Sequence, residues 1–288
     1  MPDKQTESVT LPVLREMKAR GEKIAVLTAY DHPSASVLDE AGIDIILVGD
    51  SLGMVVQGYS STIPVTMEEM LIHTRSVTGA VRRALVVADM PYMSFHLSVE
   101  ETIRNAARFL KEAGAGAVKI EGASAGRLKK IEACVEAEIP VMGHVGLTPQ
   151  SIRKWGSYAV RGRDGAAEAE AILADARAVE SAGAFAVVLE SIPMELGAVI
   201  TESLTIPTIG IGAGAACDGQ VLVFHDVMGY TQGRLPKFVK TYADLRSVVR
   251  EAAGRYIEDV RTGAFPDEAH SYRLKPEAAE KLRRGRSR

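Results

Sequence analysis

The chain has 288 residues, 47% of them hydrophobic, a formal net charge of −3 and two cysteines, Cys134 and Cys217. The near-neutral charge gives no footing for a nucleic-acid or membrane-surface partner, and two cysteines exclude a disulfide framework and suit a reducing compartment. No apolar run approaches the roughly 20 residues of a membrane span, and the polar start Met1–Thr10 lacks the apolar core of a secretory leader, so a cytoplasmic globular protein is expected.

Residues 1–10 are expected to be disordered. Leu11 to Arg20 reads as a short helix stopped by Gly21, and Lys23 to Tyr30 as the first strand. Pro33 to Ala41 reads as a helix ended by Gly42, and Ile43 to Asp50 as the second strand. The loop Ser51–Val65 is longer than most connections in α/β units, which points to function. Thr66 with Glu69, and Ser98 with Glu101, form capping-box patterns that open helices running to Gly79 and Ala113. Between them lies a third strand, Ala84–Asp89. Ala117–Glu121 and Ile139–Val145 read as the next two strands, separated by a basic helix, Arg127–Ala137. Ser151–Gly165 is a glycine-punctuated loop and Ala166–Ala182 a helix. Phe185–Glu190, Pro207–Gly212 and Gln220–His225 complete the strands, Glu195–Ser203 is helical, and Tyr242–Thr262 is a long closing helix. About eight strands alternating with helices imply a parallel sheet and favour a single closed (β/α)8 TIM barrel over residues 11–270, with 271–288 a basic, disordered tail. No Gly-x-Gly-x-x-Gly follows the first strand, as a dinucleotide fold would require. The later run Ile209-Gly210-Ile211-Gly212-Ala213-Gly214 serves either a phosphate site or a tight turn.

Four apolar strands close on an acid: Asp50, Asp89, Glu121 and Glu190. Strands apolar at every position are buried on both faces, and their C-terminal ends are where α/β folds bind ligands. One such acid is ordinarily a helix cap or loop acceptor. Four around one barrel mouth would repel each other and raise their own pKa values. A hard divalent cation such as Mg²⁺ resolves this, whereas zinc spacings of Cys and His are lacking. Lys119, two residues before Glu121, shares its strand face; it reads as a counter-ion to the acids, a grip for a substrate carboxylate, or both. His144 reads as a packed polar residue or a proton-transfer group. Tyr30 and Ser51 are further polar candidates at the mouth. Metal-assisted proton abstraction beside a carbonyl fits this set.

Val48-Gly49-Asp50-Ser51-Leu52-Gly53-Met54, Val118-Lys119-Ile120-Glu121-Gly122, Gly143-His144-Val145-Gly146-Leu147-Thr148-Pro149-Gln150-Ser151 and the Ile209–Gly214 run, in that order, resemble the ketopantoate hydroxymethyltransferase family. The resemblance extends from Thr28 to about His270. It implies a barrel of the phosphoenolpyruvate/pyruvate superfamily type. It further implies transfer of a one-carbon unit from 5,10-methylenetetrahydrofolate to 3-methyl-2-oxobutanoate, giving 2-dehydropantoate in the first committed step of pantothenate synthesis. Carried onto matching positions, Asp50, Asp89 and Glu121 would hold one Mg²⁺; Asp50, Ser51, Asp89 and Lys119 would contact the oxo acid; Glu190 would accept the proton; His144 is an auxiliary candidate. A homodecamer is implied. The chain departs from the family pattern at Ala123, Ala159 and Arg161, away from these ligands. Competing readings are a related Mg²⁺-dependent oxo-acid lyase or mutase, and a non-catalytic barrel that binds a metal and an organic anion.

Overall fold

A computed structural model describes residues 8–285. Eight parallel strands pair in sequence order and close by β8 pairing β1. They are β1 (Ile24–Thr28), β2 (Ile45–Val48), β3 (Leu85–Asp89), β4 (Ala117–Glu121), β5 (Val141–Gly146), β6 (Ala186–Glu190), β7 (Thr208–Ile211) and β8 (Gly219–Leu222). The helices are α1 (Leu11–Ala19), α2 (His32–Glu40), α3 (Leu52–Val55), α4 (Met67–Thr78), α5 (Val99–Ala113), α6 (Ala125–Glu136), α7 (Ile152–Trp155), α8 (Ala166–Ser181), α9 (Met194–Ser203), α10 (Phe224–Val227), α11 (Leu245–Thr262) and α12 (Pro276–Gly285). The expected barrel is present.

The two-residue period of a strand divides its side chains into two cores. Val26, Leu47, Val87, Ala117, Met142 and Val188 point inward and pack with one another. Leu14 and Met17 of α1 join that inner cluster, so α1 plugs the N-terminal end of the barrel. The alternate residues, among them Ile46, Ala88, Val118, Ile120 and Leu189, belong to an outer core beneath the helices. There α2, α4, α5, α6, α8 and α9 pack side by side in that order. Plugged below and filled in the middle, the barrel leaves its C-terminal mouth for polar groups.

Several expectations change. Val9 is buried and its N–H donates to the Arg83 carbonyl (2.8 Å), so the end of the 1–10 stretch is tied to the barrel; residues 1–7 lie outside the described residues. The 51–65 loop contains the helical turn α3, and the 151–165 loop contains α7. β2 stops at Val48, which places Asp50 in the turn between β2 and α3. β8 stops at Leu222, and His225 lies in α10. No helix separates β7 from β8. Residues 212–218 instead fold back over β7, with the Cys217 thiol 2.9 Å from where a Cβ on Gly210 would stand. Gly212 (φ +67°) makes the turn, and a Cβ there would stand 2.6 Å from the Phe238 ring, which favours the tight-turn reading of this glycine run. The tail expected to be disordered carries α12, and α11 does not close its own barrel: no residue of either helix is buried. None of the described helices is long and apolar enough to cross a membrane.

Local signals hold where the chemistry is self-contained. The Thr66 hydroxyl accepts from the Glu69 N–H (3.3 Å) while the Glu69 carboxylate accepts from the Thr66 N–H (2.7 Å), satisfying two otherwise orphaned donors. The Ser98 hydroxyl accepts from the Glu101 N–H at the start of α5 (3.1 Å). Thr66→Ala is expected to lower the unfolding free energy by about 1 kcal/mol, and Thr66→Ser to keep most of it, as measured by urea denaturation.

Candidate active site

Strand register assembles the mouth. Asp89 pairs with Lys119 across β3–β4, Glu121 with His144 across β4–β5, and Gly146 with Glu190 across β5–β6. Asp89, Lys119, Glu121, His144 and Glu190 therefore step around one rim. Asp50 joins from the turn after β2, and its N–H donates to Asp89 Oδ2 (3.0 Å).

At the centre, Lys119 Nζ lies 2.7 Å from Asp89 Oδ1, 4.0 Å from Glu121 Oε1 and 3.3 Å from His144 Nδ1. His144 bridges two acids, with Nδ1 3.4 Å from Glu121 Oε1 and Nε2 3.2 Å from Glu190 Oε2. On the other side Gln150 ties two acids together. Its side-chain amide donates to Asp50 Oδ2 (2.9 Å) and to the Met90 carbonyl (2.9 Å), and its backbone N–H donates to Glu121 Oε2 (3.1 Å). The Ser51 hydroxyl meets the Tyr30 hydroxyl at 2.8 Å, and the Tyr30 carbonyl lies 2.6 Å from His73 Nδ1. Glu190 differs from the other three acids in exposure. Its side chain is 17% accessible, whereas those of Asp89 and Glu121 are 5% and 6%. It is the most accessible of the four acids to a molecule entering the mouth.

The backbone around Glu190 is built to hold that position. Gly146 (φ +92°) lies so close that a Cβ there would stand 2.4 Å from the Glu190 carbonyl oxygen, while the next N–H, of Leu147, donates to that oxygen (2.9 Å). Ser191, immediately after Glu190, has φ +48°, a left-handed conformation a non-glycine residue adopts only under local constraint. Its N–H donates to the Ile211 carbonyl (2.8 Å).

Electrostatics follow from burial. Loss of solvent, and then the charges of Asp89 and Glu121, push the Asp50 carboxyl well above its ordinary value. Burial also raises Asp89, against the pull of Lys119. For Glu121 burial is outweighed by His144 and Lys119, and its carboxyl is lowered. Burial opposes the charge on Lys119, but Asp89, Glu121 and Asp50 hold it protonated. For His144, burial and Lys119 lower the pKa, yet the bonds to Glu121 and Glu190 prevail and raise it to about 9. With both cations charged, four ionised carboxylates would leave two negative charges, and the raised Asp50 carboxyl is where the cluster relieves part of that excess by holding a proton.

The sequence-predicted residues thus converge, Asp50, Ser51, Asp89, Lys119, Glu121, His144 and Glu190 alike. Among the described residues, however, no three His, Cys, Asp or Glu side chains already form a metal-binding group. Lys119 draws Asp89 toward itself, and Gln150 holds Asp50 and Glu121. Oxygen-only donors, surplus negative charge and a carboxyl pushed toward its protonated form still match a hard divalent ion, which binds through one or two carboxylates and completes its shell with water and substrate. Sequence reasoning gave Gln150 no role. Its place four residues past the end of β5, in a motif already singled out, was the available signal. Tyr158 was missed as well. Partial burial, and then the charges of Glu190 and Asp50, raise its phenol above the ordinary value. The 151–165 segment is held by Arg161 stacked on Trp155 (3.9 Å), by its ion pair with Glu168, and by the Arg161 N–H donating to the Ser191 carbonyl (2.8 Å).

In fold the chain is similar to a solved phosphonopyruvate hydrolase in complex with oxalate and Mg²⁺ (TM-score 0.60, 15% identity, covering 96% of this chain and 98% of that one). It is likewise similar to 2,3-dimethylmalate lyase, a member of the PEP mutase/isocitrate lyase superfamily (TM-score 0.56, 16% identity, 96% and 98%). In sequence it is 54% identical to the 3-methyl-2-oxobutanoate hydroxymethyltransferase of Carboxydothermus hydrogenoformans over 277 residues, 96% of this chain and 99% of that protein. It is 55% identical to the enzyme of the same name from Thermoanaerobacter sp. strain X514 over 268 residues, 93% and 97%. The family profile of ketopantoate hydroxymethyltransferase matches residues 8–268, which include every strand and every acid of the mouth. The chain belongs to the ketopantoate hydroxymethyltransferase family.

Proposed function

We propose that this protein transfers a hydroxymethyl group from 5,10-methylenetetrahydrofolate to 3-methyl-2-oxobutanoate. The products are 2-dehydropantoate and tetrahydrofolate, water supplies the new hydroxyl oxygen, and the reaction is the first committed step of pantothenate synthesis. The observation that carries this reading, within the family, is the arrangement of Glu190: an acid open to the mouth, braced by His144 and by its own backbone, beside a buried cluster with surplus negative charge.

Glu190 is the base that takes the proton from C3 of the oxo acid. His144 positions it, and its protonated ring is a proton donor within the same network. Lys119 and Ser51, with Asp50 and Asp89, contact the oxo acid, with the lysine supplying charge for its carboxylate. Asp50, Asp89 and Glu121 are the residues that would hold Mg²⁺. When bound, that ion supplies Lewis-acid polarisation of the oxo group and stabilises negative charge developing there. In this reading the partners are small molecules, with neither nucleic acid nor membrane involved, and the protein works in the cytoplasm as a homodecamer. A lyase or mutase relying on a cysteine at the mouth is disfavoured. Both thiols are buried in the outer core, and burial raises Cys134 to about 11.

The test is solvent exchange at C3 of 3-methyl-2-oxobutanoate in D₂O, followed by NMR with Mg²⁺ and without folate. Glu190→Gln should slow exchange by about 10²–10⁴-fold while leaving oxo-acid affinity within a few-fold. Exchange at the wild-type rate would remove Glu190 from the role of base. Carbon–carbon cleavage of oxo acids without folate would favour the lyase reading.

The metal reading has its own test, through the raised Asp50 carboxyl. A carboxyl raised in the folded state leaves the native chain with more bound protons than the unfolded one. Stability is therefore fully present below the ordinary value of 3.8 and falls as pH rises from there through the raised value. Metal-free protein should lose stability over that window by at most about 1.4 kcal/mol per pH unit for this group. Asp50→Asn, or saturating Mg²⁺, should flatten the dependence, as read by urea denaturation at several pH values. An identical slope in all three samples would exclude Asp50 as a site relieved by the ion.

A further inference from the structure

Gln150 stands among the buried acids without carrying a charge. It is 5% exposed and lies in the short helical turn Pro149–Ser151 that follows β5. Pro149 opens that turn, and the Ser151 N–H closes it on the Thr148 carbonyl (2.9 Å), so the backbone that carries Gln150 is itself held.

Every hydrogen that Gln150 can donate is spent. Its backbone N–H goes to Glu121 Oε2, and its side-chain amide goes to Asp50 Oδ2 and to the Met90 carbonyl. A carbonyl can only accept, so Met90 fixes which end of the amide is the nitrogen. The amide oxygen is then left buried with no hydrogen bond. Buried polar atoms are seldom left this way, and here the side chain is held in place by what it donates. Each of two acids gives up one oxygen to Gln150. On Asp50 the other oxygen, Oδ1, has no hydrogen bond or ion pair among the described residues. On Glu121 the other, Oε1, faces Lys119 (4.0 Å) and His144 (3.4 Å).

Lys119 also orders carboxylates, but its ammonium cancels a charge in doing so. An amide donates in a fixed direction and cancels nothing. We propose that Gln150 is the positioning residue that sets the affinity of this mouth for a divalent cation, orienting Asp50 and Glu121 while leaving their charge in place for the ion. The proposal rests on the reading of Asp50, Asp89 and Glu121 as the metal-holding residues, and adds to them a residue that acts through two of the three. Carboxylates that ligate metals are themselves commonly held by such outer hydrogen bonds. The tie to Glu121 comes from the backbone and survives substitution, so variants at position 150 isolate the arm that reaches Asp50.

The experiment titrates Mn²⁺, which takes the same hard oxygen donors as Mg²⁺, into the full-length chain without oxo acid or folate. Free Mn²⁺ is read by electron paramagnetic resonance, and Mg²⁺ affinity is obtained by competition. Gln150→Met keeps the length of the side chain and removes both donors. It should weaken both ions by about 10–100-fold, with the far-UV circular dichroism retained. Gln150→Asn withdraws the amide by one methylene and should weaken them in the same direction, which decides the question if the methionine variant does not fold. Gln150→Lys keeps a donor but adds a charge, and should also bind more weakly than wild type. In the C3 exchange reaction, Gln150→Met should raise the Mg²⁺ concentration that gives half the maximal rate by the same factor, which a purely structural role would leave in place. Wild-type binding with unchanged affinity in the methionine and asparagine variants would overturn this proposal alone. Unchanged affinity in the lysine variant would overturn the role given to neutrality. A wild-type chain that binds neither ion would overturn the metal reading itself.

Discussion

The site depends on a lysine buried inside the barrel. Lys119 is 5% exposed on the inner face of β4, and its ammonium sits 2.7 Å from Asp89 and 4.0 Å from Glu121. Neither the lysine nor the acids would be tolerable there alone, because an unpaired charge in such surroundings costs several kcal/mol or neutralises itself. The pair does not balance the cluster. Asp50 stays partly uncompensated and its carboxyl is pushed up, while His144 is held protonated between Glu121 and Glu190. Lys119 therefore makes a dense acid cluster foldable and still leaves it short of positive charge.

Rigidity follows from the same crowding. Gln150 joins Asp50, Glu121 and the Met90 carbonyl, so movement of any one is felt by the others. The close approach at Gly146 and the strained backbone of Ser191 fix the end of β6. Glu190 thus receives its orientation from elements that do not themselves face the mouth. A base held this way needs little reorganisation when it takes a proton, and that is where a rigid barrel contributes to catalysis.

Much of this was legible because its signals are local. Apolar runs ending in acids located β2, β3, β4 and β6 to within about two residues, and the period of two placed Lys119 and Glu121 on one face. Thr66 and Glu69 fixed the start of α4 because the cap is complete within four residues. What escaped depends on distant partners. Gln150 acts on Asp50 a hundred residues away, and no spacing in its own segment reveals that. β7 runs on to β8 without a helix because Gly212 and the small residues after it let the chain double back on β7.

The C-terminal region marks the boundary of what periodicity can say. The stripe from Leu245 to Val260 states that one face of α11 is meant to be covered, and a single-chain reading assigns that cover to the chain's own barrel. Hydrophobic spacing carries no information about which copy supplies the surface. The start of α11 itself is fixed by hydrogen bonds from the Tyr242 and Leu245 N–H groups to α10 and the residue after it. Strand β1 runs on into Tyr30, whose hydroxyl meets Ser51 beside Asp50.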